Sequence, residues 1–218
     1  MRRSGASELS VEHMTGGGCT FPRIPLGYFV TSGYGDTDCG GGIDPWETGS
    51  YDLALEMAGI ENFNIAKYTS VIPRQAFEVP IEVARRYFEH GAVLETILAS
   101  MNGTTGEIIT AGVGRVYVYK RTGEYLGGFA AEYEGHADPE GAWNVLRQDL
   151  TEMVERRYRG GAFDFEFDRP IVMSHRIEHQ YGTVLAGVCW ISYAVSPVPL
   201  EAQHNLASAV KKSKAVTA

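Results

Sequence analysis

Residues 62–73 read Asn62-Phe63-Asn64-Ile65-Ala66-Lys67-Tyr68-Thr69-Ser70-Val71-Ile72-Pro73. The first half alternates as a short strand does, and the second half holds a Thr-Ser pair among β-branched residues and a proline. Taken alone, hydroxyl residues at a strand end serve an edge or a turn, and Asn64 reads as a turn or strand-end amide. On the N-terminal side, Tyr51, Ala54, Leu55 and Ala58 fall at i, i+3, i+4 and i+7 and predict a helix over 51–58. Gly59 is its natural stop. Asp52 falls in the first turn, where the positive end of the helix dipole favours a carboxylate.

Further upstream, 25–32 is apolar and β-branched and predicts a strand. The glycine-rich run Gly33–Gly42 after it fits neither a dinucleotide fingerprint nor a P-loop, and its acids would repel phosphate. It reads as a pocket wall or a surface loop. Downstream, Pro80–Phe88 predicts a short turn or helix and His90–Ser100 a strand. Glu107–Tyr119 is the partner expected for that strand, through a hairpin at Asn102–Gly106. Glu95 is an acid within the first of these strands and is assigned no role. Leu126–Gly135 predicts another strand, with Glu132 and Glu134 on one face by period-two alternation. Asp138 and Pro139 open one long helix over 139–159, whose acids and arginines read as solvated. Phe163–Glu178 reads as one extended stretch and Gly182–Tyr193 as a strongly apolar strand. His175 and His179 have helical spacing on that extended stretch and lack a metalloprotease pattern, so no metal site is expected. Strands dominate without βαβ alternation, which predicts an α+β fold with largely antiparallel sheets.

Bulk composition narrows the class. A chain of 218 residues with 44% apolar content can bury a real core, so it is not a disordered segment. A net charge of −8 with no basic stripe argues against nucleic acid and suits a cationic ligand. Cys19, Cys39 and Cys189 form neither a ligand set nor a disulfide framework, as expected of a reducing compartment. No apolar run reaches membrane-spanning length and the first residues lack a signal-peptide core, so the reading is cytoplasmic, with no membrane partner. Residues 1–24 are expected to form a flexible lead, 25–200 a single domain, and 201–218 a flexible tail.

Four stretches together carry a resemblance: Gly59–Ile65, Tyr68–Pro73, His90–Glu95 and the run Ala130-Ala131-Glu132-Tyr133-Glu134. In this order they are similar to the pyruvoyl-dependent arginine decarboxylase family over about Gly27–Tyr193. Glu61, Arg74 after Pro73 and the long Asp36–Glu47 loop bring the chain nearer the family's bacterial branch than its archaeal one. The resemblance implies a four-layer αββα sandwich, and a homotrimer or hexamer with active sites between subunits.

It also implies self-cleavage at Thr69–Ser70 into 1–69 and 70–218. The Ser70 hydroxyl attacks the Thr69 carbonyl in an N→O acyl shift, and β-elimination and hydrolysis then convert Ser70 into a pyruvoyl group. A serine can supply that nucleophile, but only with help from geometry and strain. The oxyanion on Thr69 needs preorganised donors, and Asn64 matches a family asparagine linked to processing. The covalent pyruvoyl group is the electron sink in place of pyridoxal phosphate, and no metal is implied. Glu132 matches the proton donor, with Glu134 its rival, and Asp52 matches a substrate-binding aspartate able to grip a guanidinium bidentately. The implied reaction converts L-arginine to agmatine and CO₂. A decarboxylase for another amino acid or guanidino compound, or an uncleaved homologue serving as an assembly partner, are the other readings.

Overall fold

The computed structural model describes residues 20–197. Twelve strands and three α-helices follow one another in it. They are β1 (Thr20–Pro25), β2 (Gly27–Thr37), α1 (Asp52–Ala58), β3 (Asn64–Lys67), β4 (Val71–Ile72), β5 (Phe77–Glu78) and α2 (Ile81–Ala84). Then come β6 (Val93–Thr104), β7 (Ile108–Lys120), β8 (Tyr125–Gly135), α3 (Pro139–Arg157), β9 (Phe163–Phe167), β10 (Ile171–Arg176), β11 (Tyr181–Trp190) and β12 (Tyr193–Pro197). Thr20–Pro25 is therefore a strand, paired with β12 in a two-stranded sheet of its own, where a flexible lead is expected to run to residue 24. The lead over 1–19, the tail over 201–218 and Cys19 lie outside the described residues.

Residues 25–193 form a compact unit built on two five-stranded sheets. The first has the order β3-β6-β11-β2-β5, with β3 and β5 parallel to their neighbours and the rest antiparallel. The second has the order β10-β7-β8-β4, and β9 pairs with the other half of β7. Period-two alternation divides their residues among three apolar layers. Ile97 and Ala99 of β6, Ile109, Ala111 and Val113 of β7, and Val184, Ala186 and Val188 of β11 meet between the sheets. Phe29, Leu94, Leu98, Leu185 and Cys189 on the outer face of the first sheet pack on Ala54, Leu55 and Ala58 of α1. Val116, Val118, Phe129 and Ala131 on the outer face of the second pack on Leu146, Leu150 and Val154 of α3. The order of layers is thus helix, sheet, sheet, helix, and the expected α+β sandwich is what the chain builds.

The two helices end and begin as their sequences dictate. Gly59 closes α1 at φ +72°, a left-handed conformation that costs glycine little. Asp138 caps α3 by accepting from the Gly141 N–H at 2.7 Å, with Pro139 in the first turn.

Four local expectations change. The glycine-rich run Gly33–Gly42 is strand as far as Thr37, and the loop begins only after it. Gly33 and Gly35 sit on the β2 face that carries α1, where a Cβ would come within 2.2 Å of Ala54 O and 2.0 Å of Ser50 O. These glycines serve close helix–strand approach. A π-helical turn, Glu47–Tyr51, precedes α1, so Asp52 sits inside a longer helical rod and not at a free N-terminus. β6 and β7 are consecutive but lie in different sheets, and β6 runs through 102–104, so the connection is an inter-sheet turn at 105–107 and not a hairpin at 102–106. Finally, 163–178 is two strands, broken where Pro170 cannot donate to the ladder.

Polar pairs also join the two sheets. Arg115 of β7 is 3% exposed, lies on the inner face, and pairs with Glu78 of β5 at 2.5 Å and Asp168 at 2.8 Å. His175 of β10 meets Asp36 of β2 at 2.9 Å, and Asp36 also accepts from the Glu178 and His179 N–H groups. The two histidines are thereby engaged with aspartates, His179 with Asp38 at 3.1 Å.

Candidate active site

The candidate site lies where the chain steps from one sheet to the other. β3 follows β6 in parallel, with Asn64 opposite Val93 and Lys67 opposite Thr96, and Tyr68 N–H still donates to Thr96 O at 2.7 Å. Two residues later the Ser70 carbonyl accepts from Ala130 N–H at 2.9 Å, and Val71 is already paired with Phe129 of β8. Thr69 and Ser70 are the whole of the step. The peptide between them is thus held on one flank by the first sheet and on the other by the second. A third hydrogen bond lies within the step itself, from Val71 N–H to Thr69 O at 3.0 Å, an i to i+2 bond that makes a γ-turn centred on Ser70.

β4 covers β8 only as far as Phe129, which leaves β8 open from Ala131 to Gly135. A cavity of about 510 Å³ opens beside this edge, lined by Ser70, Ala131, Glu132 and by Asp149, Glu152, Met153 and Arg156 of α3. That volume is ample for an amino acid. Glu132 keeps access to solvent through it. Loss of surrounding water nonetheless pushes its carboxyl above the usual carboxylate range, with the Glu134 charge adding to the effect, while its own backbone N–H and Lys67 oppose it. Glu134 has a different task. Its Oε1 accepts from Ser100 N–H of β6 at 2.8 Å, tying the two sheets where β3 has ended. Lys67 Nζ reaches Ser100 Oγ at 3.4 Å from the other side, beside a smaller cavity lined by Asp44, Glu47, Tyr51, Lys67, Ser100 and Asn102.

Of the residues singled out from sequence, the structure brings together Thr69, Ser70 and Glu132. Asn64 is engaged elsewhere: its Nδ2 donates to Gly91 O at 2.8 Å, registering the start of β3 against the β6 lead-in. Asp52 is exposed on α1, on the outside of the first sheet, and does not line the Ser70 cavity of its own chain. Glu95 is half-buried in β6, opposite Ala66 and Trp190. Sequence reasoning missed the polar stripe on α3. Asp149, Glu152 and Arg156 recur at i, i+3 and i+7 on one helix face, a pattern that in sequence is the same as any solvated face. Among the described residues no group of three or more His, Cys, Asp or Glu is arranged to hold a metal ion, and no helix is long and apolar enough to cross a membrane.

The geometry is thus a two-sheet sandwich with a serine at the sheet-to-sheet step and, lining the same cavity, an acid held toward its protonated form. A family model described as pyruvoyl-dependent arginine decarboxylase matches residues 27–195, and the chain belongs to that family. It is 38% identical over 164 residues to the pyruvoyl-dependent arginine decarboxylase AaxB of Chlamydia abortus, covering 73% of this chain and 81% of that one. The AaxB of Chlamydia trachomatis serovar L2 is 44% identical over 116 residues, 51% of this chain and 60% of its own length. A shorter match, 34% over 67 residues, reaches a pyruvoyl-dependent arginine decarboxylase of Halobacterium salinarum, covering 31% of this chain and 41% of that protein.

Proposed function

We propose that the chain cleaves itself between Thr69 and Ser70 and, so processed, decarboxylates L-arginine to agmatine and CO₂. The observation that carries this reading is the placement of Ser70. It is the hinge between two sheets, it lines a cavity that accepts an amino acid, and Glu132 lines the same cavity. The residues fit a pyruvoyl group formed in place, since Ser70 already lines the cavity that the substrate would enter. In the first step the Ser70 Oγ–C bond to the Thr69 carbonyl forms, the Thr69–Ser70 C–N bond breaks, and the hydroxyl proton passes to the Ser70 nitrogen. Loss of the Ser70 α-proton then expels the Thr69 carboxylate, and water replaces the nitrogen, which leaves as ammonia. The chains so made are 1–69 and 70–218, and the catalytic domain is 25–200.

The pyruvoyl group supplies a ketone for the substrate's α-amine and a sink for the electrons left when CO₂ departs. Glu132 supplies the proton. Its raised carboxyl holds that proton nearer neutral pH than an ordinary glutamate does, and delivers it from Oε to the substrate α-carbon. Glu134 is bound to Ser100 and keeps the sheet edges in register beside it. Asp52 takes the guanidinium of a substrate bound to a neighbouring copy. Its exposure on α1, away from its own Ser70, supports a homotrimer or a pair of trimers with sites shared between subunits.

Release of labelled CO₂ from a panel of carboxyl-labelled amino acids and guanidino acids tests the substrate. Arginine is expected to be turned over far faster than ornithine, lysine or citrulline. Preference for a substrate without a guanidinium would replace arginine, and no release from any of them would favour a non-catalytic partner.

A further inference from the structure

Self-cleavage needs a donor at the Thr69 carbonyl oxygen, because that oxygen takes up negative charge as Ser70 Oγ adds to its carbon. Asn64, the residue that the family resemblance nominates, has its Nδ2 on Gly91 O, at the start of β3. Among the described residues, the Val71 N–H lies at bonding distance from the Thr69 oxygen, 3.0 Å away. We infer that the backbone N–H of Val71 is the oxyanion donor of the cleavage step, and that the γ-turn centred on Ser70 is the device that aims it.

Three features of the fold hold that N–H ready. Val71 pairs with Phe129 in β4, yet it is the neighbouring Ser70 carbonyl that takes the Ala130 N–H, which leaves the Val71 N–H turned back along its own chain. Ile72 is 1% exposed and anchors the far side of the turn in the inter-sheet core. On the near side Tyr68 is fixed to Thr96 O. The donor and the nucleophile then belong to consecutive residues, so one local conformation sets both. As the Thr69 carbon becomes tetrahedral its oxygen stays in reach of the same N–H, and no side chain has to move. Asn64 becomes a positioning residue, acting through the register of β3. Deleting one preorganised donor of this kind slows acyl transfer by about 10²–10³-fold.

This inference rests on the self-cleavage reading, and the test separates the two. The full-length chain is made with the 2-hydroxy analogue of valine at position 71, which keeps the side chain and replaces the amide by an ester lacking the N–H. A second chain carries the same change at Val79, whose N–H donates to Tyr28 O at 2.7 Å at the edge of β5. Conversion to 1–69 and 70–218 is followed by mass. The expected result is parental speed for the position-79 ester and a slowing of about 10²-fold for the position-71 ester. Equal rates for the two esters overturn the inference alone, whereas a parent chain that stays whole overturns the self-cleavage reading with it. Amide exchange in the uncleavable Ser70→Ala chain gives a second reading that no synthetic change can disturb. Val71 is 48% exposed, so a slowly exchanging amide there reports the turn, and exchange at the free-amide rate contradicts it.

Discussion

Glu132 and Glu134 are two residues apart on one strand, share a face, and have separate fates. Glu134 is committed to Ser100 N–H, while Glu132 lines the cavity with its carboxyl pushed up. Glu132→Gln is expected to leave cleavage intact and lower arginine turnover by about 10²–10⁴-fold, the usual weight of a general acid. In the parent, the decarboxylation rate should fall as pH rises through the raised Glu132 value, because the proton is then lost; the glutamine variant should lose that limb. Stability falls with rising pH as well. A carboxyl raised by folding costs nothing below its unfolded value and costs most above its folded one, so the variant should melt no lower than the parent at neutral pH, with any advantage vanishing in acid. Thermal melts across pH check this. Ser70 and Glu132 were legible in sequence because they lie in motifs. The α3 stripe was not, because Asp149, Glu152 and Arg156 look like any solvated helix face until β8 is left uncovered beside them. The Val71 N–H has no side-chain signature at all.

At the scale of elements, the strands were legible from alternation and the long helix from its cap. Their partners were not. Consecutive β6 and β7, joined by a short glycine-bearing turn, read as a hairpin, yet each is an interior strand of a different sheet. Pairing depends on which faces meet in the core, and both strands are apolar enough to be covered on both sides. The glycines of β2 were likewise read as a loop, because their use appears only when α1 is laid on them. Gly35→Ala tests that contact. Its Cβ would lie 2.7 Å from the Leu53 Cβ as well as against Ser50 O, so α1 must lift. A loss of about 1–3 kcal/mol is expected from such overpacking, read by denaturant titration. Since α1 carries Asp52, the proposed guanidinium partner, KM for arginine is expected to rise more than kcat falls.

For the whole molecule, four layers with the Thr69–Ser70 peptide at the crossing between the two sheets would let the proposed cleavage leave the fold intact, because its flanks are tied to different sheets, Tyr68 to β6 and Val71 to β8. What one chain does not do is bring Asp52 to its own cavity. Mixed assembly of Ser70→Ala and Asp52→Asn chains tests whether copies share sites. Neither variant alone should turn over arginine well, and refolding them together should restore turnover. Failure to complement would return substrate binding to residues of a single chain, with Asp149 and Glu152 the acids at hand.

The most direct test of the central claim is a denaturing intact-mass spectrum of the freshly purified protein. Two chains, 1–69 ending in the Thr69 carboxylate and 70–218 beginning with a pyruvoyl group in place of Ser70, are predicted, with the second chain reactive toward a carbonyl reagent. A single uncleaved chain after prolonged incubation, inert to that reagent, would contradict it.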